Sequence, residues 1–197
     1  IKTGPSRKQL RDAAKRRRAA SGARSNGDAP ASGTFEAFLR QSSSPFVDEA
    51  TVEAALQAFR GLDNLNGAAA ADIATLLQST TKFECVKDTK LVRQGDTSEG
   101  AALIFGLAGQ AAVYVKSASV VGRREDELVT TLDAPFIVGE GRLLTGAPAN
   151  ATVMTTRPST VLVCRINEFD ALMDASNSAL RSLETSVVQR AEERVRA

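Results

Sequence analysis

No histidine and no tryptophan occur in the 197-residue chain. Without an imidazole, the Ser-His-Asp and Cys-His routes of nucleophilic catalysis are excluded, as is any zinc site that uses histidine. Two cysteines, Cys85 and Cys164, are too few for a disulfide framework or a four-thiolate metal cage. No dense basic cluster adjoins either thiol to activate it, so both are expected to behave as small buried hydrophobes. No apolar run approaches the ~20 residues that a membrane-spanning helix needs. No nucleophile–base pair is visible, and an enzyme is not expected.

What is present is unevenly distributed. Residues 1–33 hold nine basic side chains against Asp12 and Asp28, a net charge of +7. The remaining 164 positions hold 16 basic and 21 acidic residues, a net charge of −5. A basic, low-complexity arm rich in Ala, Arg, Ser and Gly is thus joined to a mildly acidic body. The arm has too little apolar surface to offset the cost of ordering it alone. Its run Lys15-Arg16-Arg17-Arg18 suits an acidic protein surface, anionic lipid or nucleic acid, or is simply solvated. The absence of aromatic residues for stacking argues against nucleic acid.

The body, 43% of the whole being hydrophobic, is rich enough for a true core. Thr34–Arg40 carries Phe35, Phe38 and Leu39 as a short amphipathic anchor, and Ser42-Ser43-Ser44-Pro45 breaks the chain. Helical spacing of Val52, Ala55, Leu56 and Phe59 predicts a helix over Asp48–Arg60, and Ile73, Leu76 and Leu77 predict a second over Ala68–Ser79. The loop Gly61–Gly67 between them fails as a calcium loop, because Leu62 and Ile73 would fall on ligand positions.

From Phe83 the period shortens. β-rich runs at Leu91–Arg93, Ala101–Phe105, Ala111–Lys116, Glu127–Leu132, Phe136–Val138, Ala151–Thr155 and Ser159–Ile166 are separated by Gly, Asp and Pro turns. Seven or eight short strands at this spacing predict a jelly-roll-like β-roll. A helix over Asn167–Asp174 follows, with Asn167 as its expected N-cap. A last helix begins near Ser178 with Leu180, Leu183, Val187, Ala191 and Val195 as its apolar stripe, packed on the roll or presented to a partner. Arg123–Glu127 is expected as a solvated mixed-charge hairpin. The sequon Asn150-Ala151-Thr152 is incidental in a chain without other signs of secretion. The organisation expected is arm (1–33), N-terminal helices (34–80), β-roll (81–166) and C-terminal helices (167–197).

Three segments then carry a family likeness. Lys90-Leu91-Val92-Arg93-Gln94-Gly95-Asp96 resembles a strand and Gly-Asp turn of the cyclic nucleotide-binding domain. This is the domain of cAMP-dependent kinase regulatory subunits, cyclic-nucleotide-gated channels and bacterial catabolite activators. The strand pair Ala101–Tyr114 around Gly109 matches with about two inserted residues. Val138-Gly139-Glu140-Gly141-Arg142-Leu143-Leu144, followed by Pro148-Ala149-Asn150-Ala151-Thr152-Val153, resembles the phosphate-binding cassette. Glu168-Phe169 to Leu172 resembles the helix after the roll. The likeness runs from about Asp72 to the C-terminus. It implies a mainly β fold flanked by helices and a nucleotide pocket formed by Gly139, Glu140, Gly141, Arg142, Leu143, Asn150, Ala151 and Thr152. In the family, a Gly-Glu pair opens a short helix whose amides face phosphate. The Glu accepts from a ribose hydroxyl, and an Arg closes on the cyclic phosphate.

The sequence departs from the pattern at the arginine. Ala149 occupies the family Arg position, Arg142 stands where the family has Ala, and Val138 replaces an aromatic residue. Either Arg142 reaches into the pocket as a substitute, or the pocket is degenerate and the domain works as a scaffold. The expectation is a non-catalytic accessory or scaffold subunit of a larger complex, without cofactor, that meets protein partners through Lys15, Arg16, Arg17, Arg18, Leu180, Leu183 and Val187. The alternative is a regulatory module sensing cAMP or cGMP. The residues after Ser178 are too few for the helix-turn-helix domain of the catabolite activators. An acid-poor, Arg- and Ser-rich start at Ile1 suggests a chain from which an organellar transit peptide has been removed. That points to chloroplast stroma or mitochondrial matrix, at the periphery of a membrane complex, with the cytoplasm as alternative.

Overall fold

The computed structural model describes residues 47–96, 102–116, 126–173 and 178–186. The basic arm with Lys15–Arg18, the Thr34–Arg40 anchor, Arg123–Arg124–Glu125 and Val187 lie outside the described residues.

Helix α1, Glu49–Phe59, begins where Asp48 accepts hydrogen bonds from the Thr51 amide at 2.9 Å and the Thr51 hydroxyl at 2.7 Å. The 61–67 loop contains a single 3-10 turn, Asp63–Leu65, and leads into α2, Ala70–Gln78. Both helices follow the expected spans within one or two residues.

Eight strands follow among the described residues: β1 Thr81–Cys85, β2 Lys90–Val92, β3 Ala102–Ala108, β4 Gln110–Lys116, β5 Asp126–Asp133, β6 Phe136–Val138, β7 Thr152–Thr155 and β8 Ser159–Arg165. They form two four-stranded sheets, ordered β1-β8-β3-β6 and β2-β7-β4-β5, with every pair antiparallel. This is the helix-flanked β-roll expected from the sequence. β1 was not among the predicted runs. Its exposed Lys82 and Glu84, 3.5 Å apart as an ion pair, dilute the apolar signal of a five-residue strand. Asp126, expected in a hairpin loop, instead continues β5 opposite Lys116, one residue ahead of the expected run Glu127–Leu132.

The two sheets differ in burial, and the sequence pattern follows. Leu103 and Phe105 of β3, and Leu162 and Cys164 of β8, face one core together with α1 and α2. The alternate residues Ala102, Ile104, Val161 and Val163 face a second core inside the roll. Strands covered on both faces need no polar alternation, which explains the unbroken apolar runs there. An edge-to-face contact between Phe59 and Phe105, ring centroids 5.4 Å apart, ties α1 to the sheet.

A short helix α3, Glu140–Thr145, sits between β6 and β7, and α4, Ile166–Met173, follows β8. Asn167 is not the cap of α4. The helix starts one residue earlier, and the Glu168 carboxylate reaches back to accept the Arg165 amide, half of a capping box. Residues 178–186 form a last helical segment, α5. Leu180 and Leu183, expected on a partner-binding stripe, are fully buried in the helical core with Phe59, Leu76 and Phe169. Their apolar surface is already covered within the chain, which removes them from any docking surface.

Candidate cyclic nucleotide cleft

The turn from β6 into α3 is set by one residue. Gly139 has φ +96°, and a Cβ on it would lie 2.2 Å from the Ala102 carbonyl oxygen. Only glycine fits there. The Leu143 amide donates to the Gly139 carbonyl at 3.2 Å, which ties the first turn of α3 to the glycine. Gly146, also left-handed, closes the helix by donating to the Arg142 carbonyl at 2.9 Å.

A cleft of about 460 Å³ opens beside α3. Gly139, Glu140, Gly141, Arg142, Ala149, Asn150 and Ala151 all line it, so six of the eight expected site residues converge, together with the anomalous alanine. Leu143 and Thr152 do not belong to its walls. Leu143 is buried among the core helices, on the side of α3 away from the opening. The Thr152 hydroxyl instead accepts the Gln94 amide at 3.0 Å and fastens β7 to the end of β2.

The remaining wall comes from positions without a motif. Val92, Val113, Leu132, Ile137, Val138 and Val153 give it an aliphatic surface, and Val129 stands at its exposed rim. Val129 is the extra residue of a β-bulge: Val113 pairs with Thr130, while the next residue, Tyr114, pairs with Leu128. No aromatic ring lines the cleft among the described residues.

Two charged side chains line it. Glu140 is buried and receives Asn64 Nδ2 at 3.5 Å, a contact from the helical layer that no sequence motif announced. Arg142 is buried too. Burial pushes its guanidinium below the usual arginine range, and the nearby Asp96 carboxylate opposes that shift. The Gly95-Asp96 turn is bonded to Ala149 in both directions, Gly95 amide to Ala149 carbonyl at 2.8 Å and Ala149 amide to Asp96 carbonyl at 3.0 Å. The Gly95-Asp96 turn therefore fixes the Ala149 backbone on the cleft wall. It also sets a carboxylate near Arg142.

The thiols take no part. Cys85 and Cys164 are both buried, and burial pushes each up to about 12, so neither is a thiolate at neutral pH. No cluster of metal-ligating side chains occurs among the described residues. No helix among them is long and apolar enough to cross a membrane.

Residues 82–176 match the family model for the cyclic nucleotide-binding domain. This segment is a cyclic nucleotide-binding domain. The same roll occurs in the catabolite activator protein of Thermus thermophilus, with a TM-score of 0.58 and 17% identity over 67% of this chain. It also occurs in a cyclic nucleotide-binding domain from Methylobacillus flagellatus, with a TM-score of 0.59 and 16% identity over 75% of this chain and 79% of that one. A third example is the regulatory subunit of a cAMP-independent protein kinase A from Trypanosoma brucei, with a TM-score of 0.56 and 16% identity over 68% of this chain. The likeness spans 59% of the Thermus protein and 46% of the trypanosome subunit. At these identities the comparison establishes the fold. Among curated proteins none matches this chain.

Proposed function

We propose that this chain is a non-catalytic accessory subunit of a larger protein assembly. Its cyclic nucleotide-binding domain serves as a rigid platform, and its cassette does not grip a cyclic phosphate. One feature supports the reading: the family resemblance aligns Ala149 with the phosphate-closing arginine, and Ala149 lines the cleft with its backbone held by the Gly95-Asp96 turn. Arg142 is not an equivalent replacement. It is a buried side chain of α3 that already has the Asp96 carboxylate nearby, so a phosphate would have to compete with that carboxylate. Glu140 adds a carboxylate to the cleft wall itself.

The trypanosome relative, described as the regulatory subunit of a cAMP-independent kinase, supports the idea that this roll serves regulatory chains that do not answer to cAMP. The basic arm, with Lys15–Arg18, is the proposed contact to the partner, either a protein or a membrane complex met at its periphery. An organellar compartment, stroma or matrix, fits the arm's composition. Isothermal titration calorimetry of the full chain with cAMP and cGMP tests the cassette, and the expected result is no saturable heat at micromolar ligand. Affinity capture with and without residues 1–33 tests the arm, and its removal is expected to abolish partner association.

A cyclic-nucleotide sensor is the second reading. The retained Glu140 and the left-handed Gly139 favour it, with Arg142 supplying the guanidinium. Partner association that depends on cAMP would select it.

A further inference from the structure

The cleft beside α3 is of a size that accommodates a small ligand. Its walls say what kind. Aliphatic side chains come from both sheets, Val92, Val113 and Val153 from one and Ile137 and Val138 from the other. Among the described residues no ring lines it to stack a purine. Among the described residues, Glu140 and Arg142 line it, and Asp96, bonded through its backbone to the wall residue Ala149, sets a second carboxylate near the one guanidinium. That arrangement repels an anion, yet it presents an acceptor at Glu140 and a donor at Arg142 to a polar group that carries no net charge.

We propose that this cleft binds a neutral amphiphile, with a compact aliphatic body against the valine walls and a hydroxyl- or amide-type end that donates to Glu140 and accepts from Arg142. This rests on the reading that the cassette does not hold a cyclic phosphate, and gives the same site a different occupant. The ligand fills an apolar space that is otherwise exposed to water. Its polar end selects against anions through Glu140.

A matched pair of fluorescent probes tests this on the full chain: neutral N-phenyl-naphthylamine, and anilinonaphthalenesulfonate, which adds a sulfonate to the same skeleton. The neutral probe is expected to bind saturably and one-to-one, roughly tenfold or more tighter than the sulfonate. Ala151→Trp, which fills the cleft from its half-buried wall, is expected to abolish that binding while thermal unfolding stays cooperative. Glu140→Gln, nearly isosteric, is expected to narrow the gap between the probes whether or not the tryptophan variant folds. No saturable binding of the neutral probe, an equal or tighter sulfonate, or a gap unchanged in Glu140→Gln would overturn the proposal. Displacement of the probe by sub-micromolar cAMP would overturn the reading beneath it. A silent neutral probe with equally silent cAMP would overturn this inference alone.

Discussion

The Asp72 carboxylate accepts the backbone amide of Ser178, 106 residues further along the chain. In return the Ser178 hydroxyl accepts the Ala69 amide at 2.7 Å. The two bonds tie the first turn of α2 to Ser178 of α5. A third bond, from the Ser182 hydroxyl to the Asn66 carbonyl at 3.0 Å, fixes the rotation of α5 against the helical layer. The C-terminal helix is positioned by polar contacts at its start and by Leu180 and Leu183 along its length.

Loss of this reciprocal bonding is measurable. Ser178→Ala removes the acceptor for the Ala69 amide and is expected to cost about 1 kcal/mol in urea denaturation, the usual net worth of a hydrogen bond. Asp72 adds a pH dependence. The Ser178 hydrogen bonds hold its carboxyl below the usual aspartate range. Its contribution is therefore present in full above the ordinary carboxylate pKa, and is lost as pH falls through the lowered value. Wild type is expected to exceed Asp72→Asn in stability at neutral pH, with the two denaturation midpoints converging on acidification.

Leu180 and Leu183 of the helical stripe are core. Leu183→Ala is expected to destabilise the isolated chain by about 3 kcal/mol, as deletion of a buried leucine does. A partner-facing leucine would leave the isolated chain's stability nearly unchanged.

The β6–α3 turn tolerates no side chain. Gly139→Ala places a methyl against the Ala102 carbonyl in a conformation that L-residues avoid. A loss of about 2 kcal/mol or more is expected in denaturant titration, together with a disturbed cleft.

The expected fold and much of the cleft were legible in the sequence because their signals are local. Asp48 before a helical stripe, the unbroken apolar runs of β3 and β8, and the Gly-Glu pair before α3 each speak through neighbouring residues. The misreadings share another cause. Whether Leu180 and Leu183 face a partner or the core depends on where α5 docks, and that docking is set by Asp72 and Asn66, far away in sequence. The β1 strand has an alternating surface too short to stand out, and it is held by pairing with β8. Asn167 sits next to Glu168, and the glutamate reaches back to the Arg165 amide, so the cap lies two residues before the expected one. Asn64 beside Glu140 and the bulge at Val129 are products of packing and register. No local motif encodes either.

The central claim concerns a single missing guanidinium, so it is tested most directly by restoring it. Calorimetric titration of cAMP into wild type and Ala149→Arg, side by side, is the measurement. The account predicts no saturable heat for wild type at micromolar cAMP, and measurable one-to-one binding once arginine stands at position 149. Sub-micromolar binding by wild type, lost in Arg142→Ala, would contradict it.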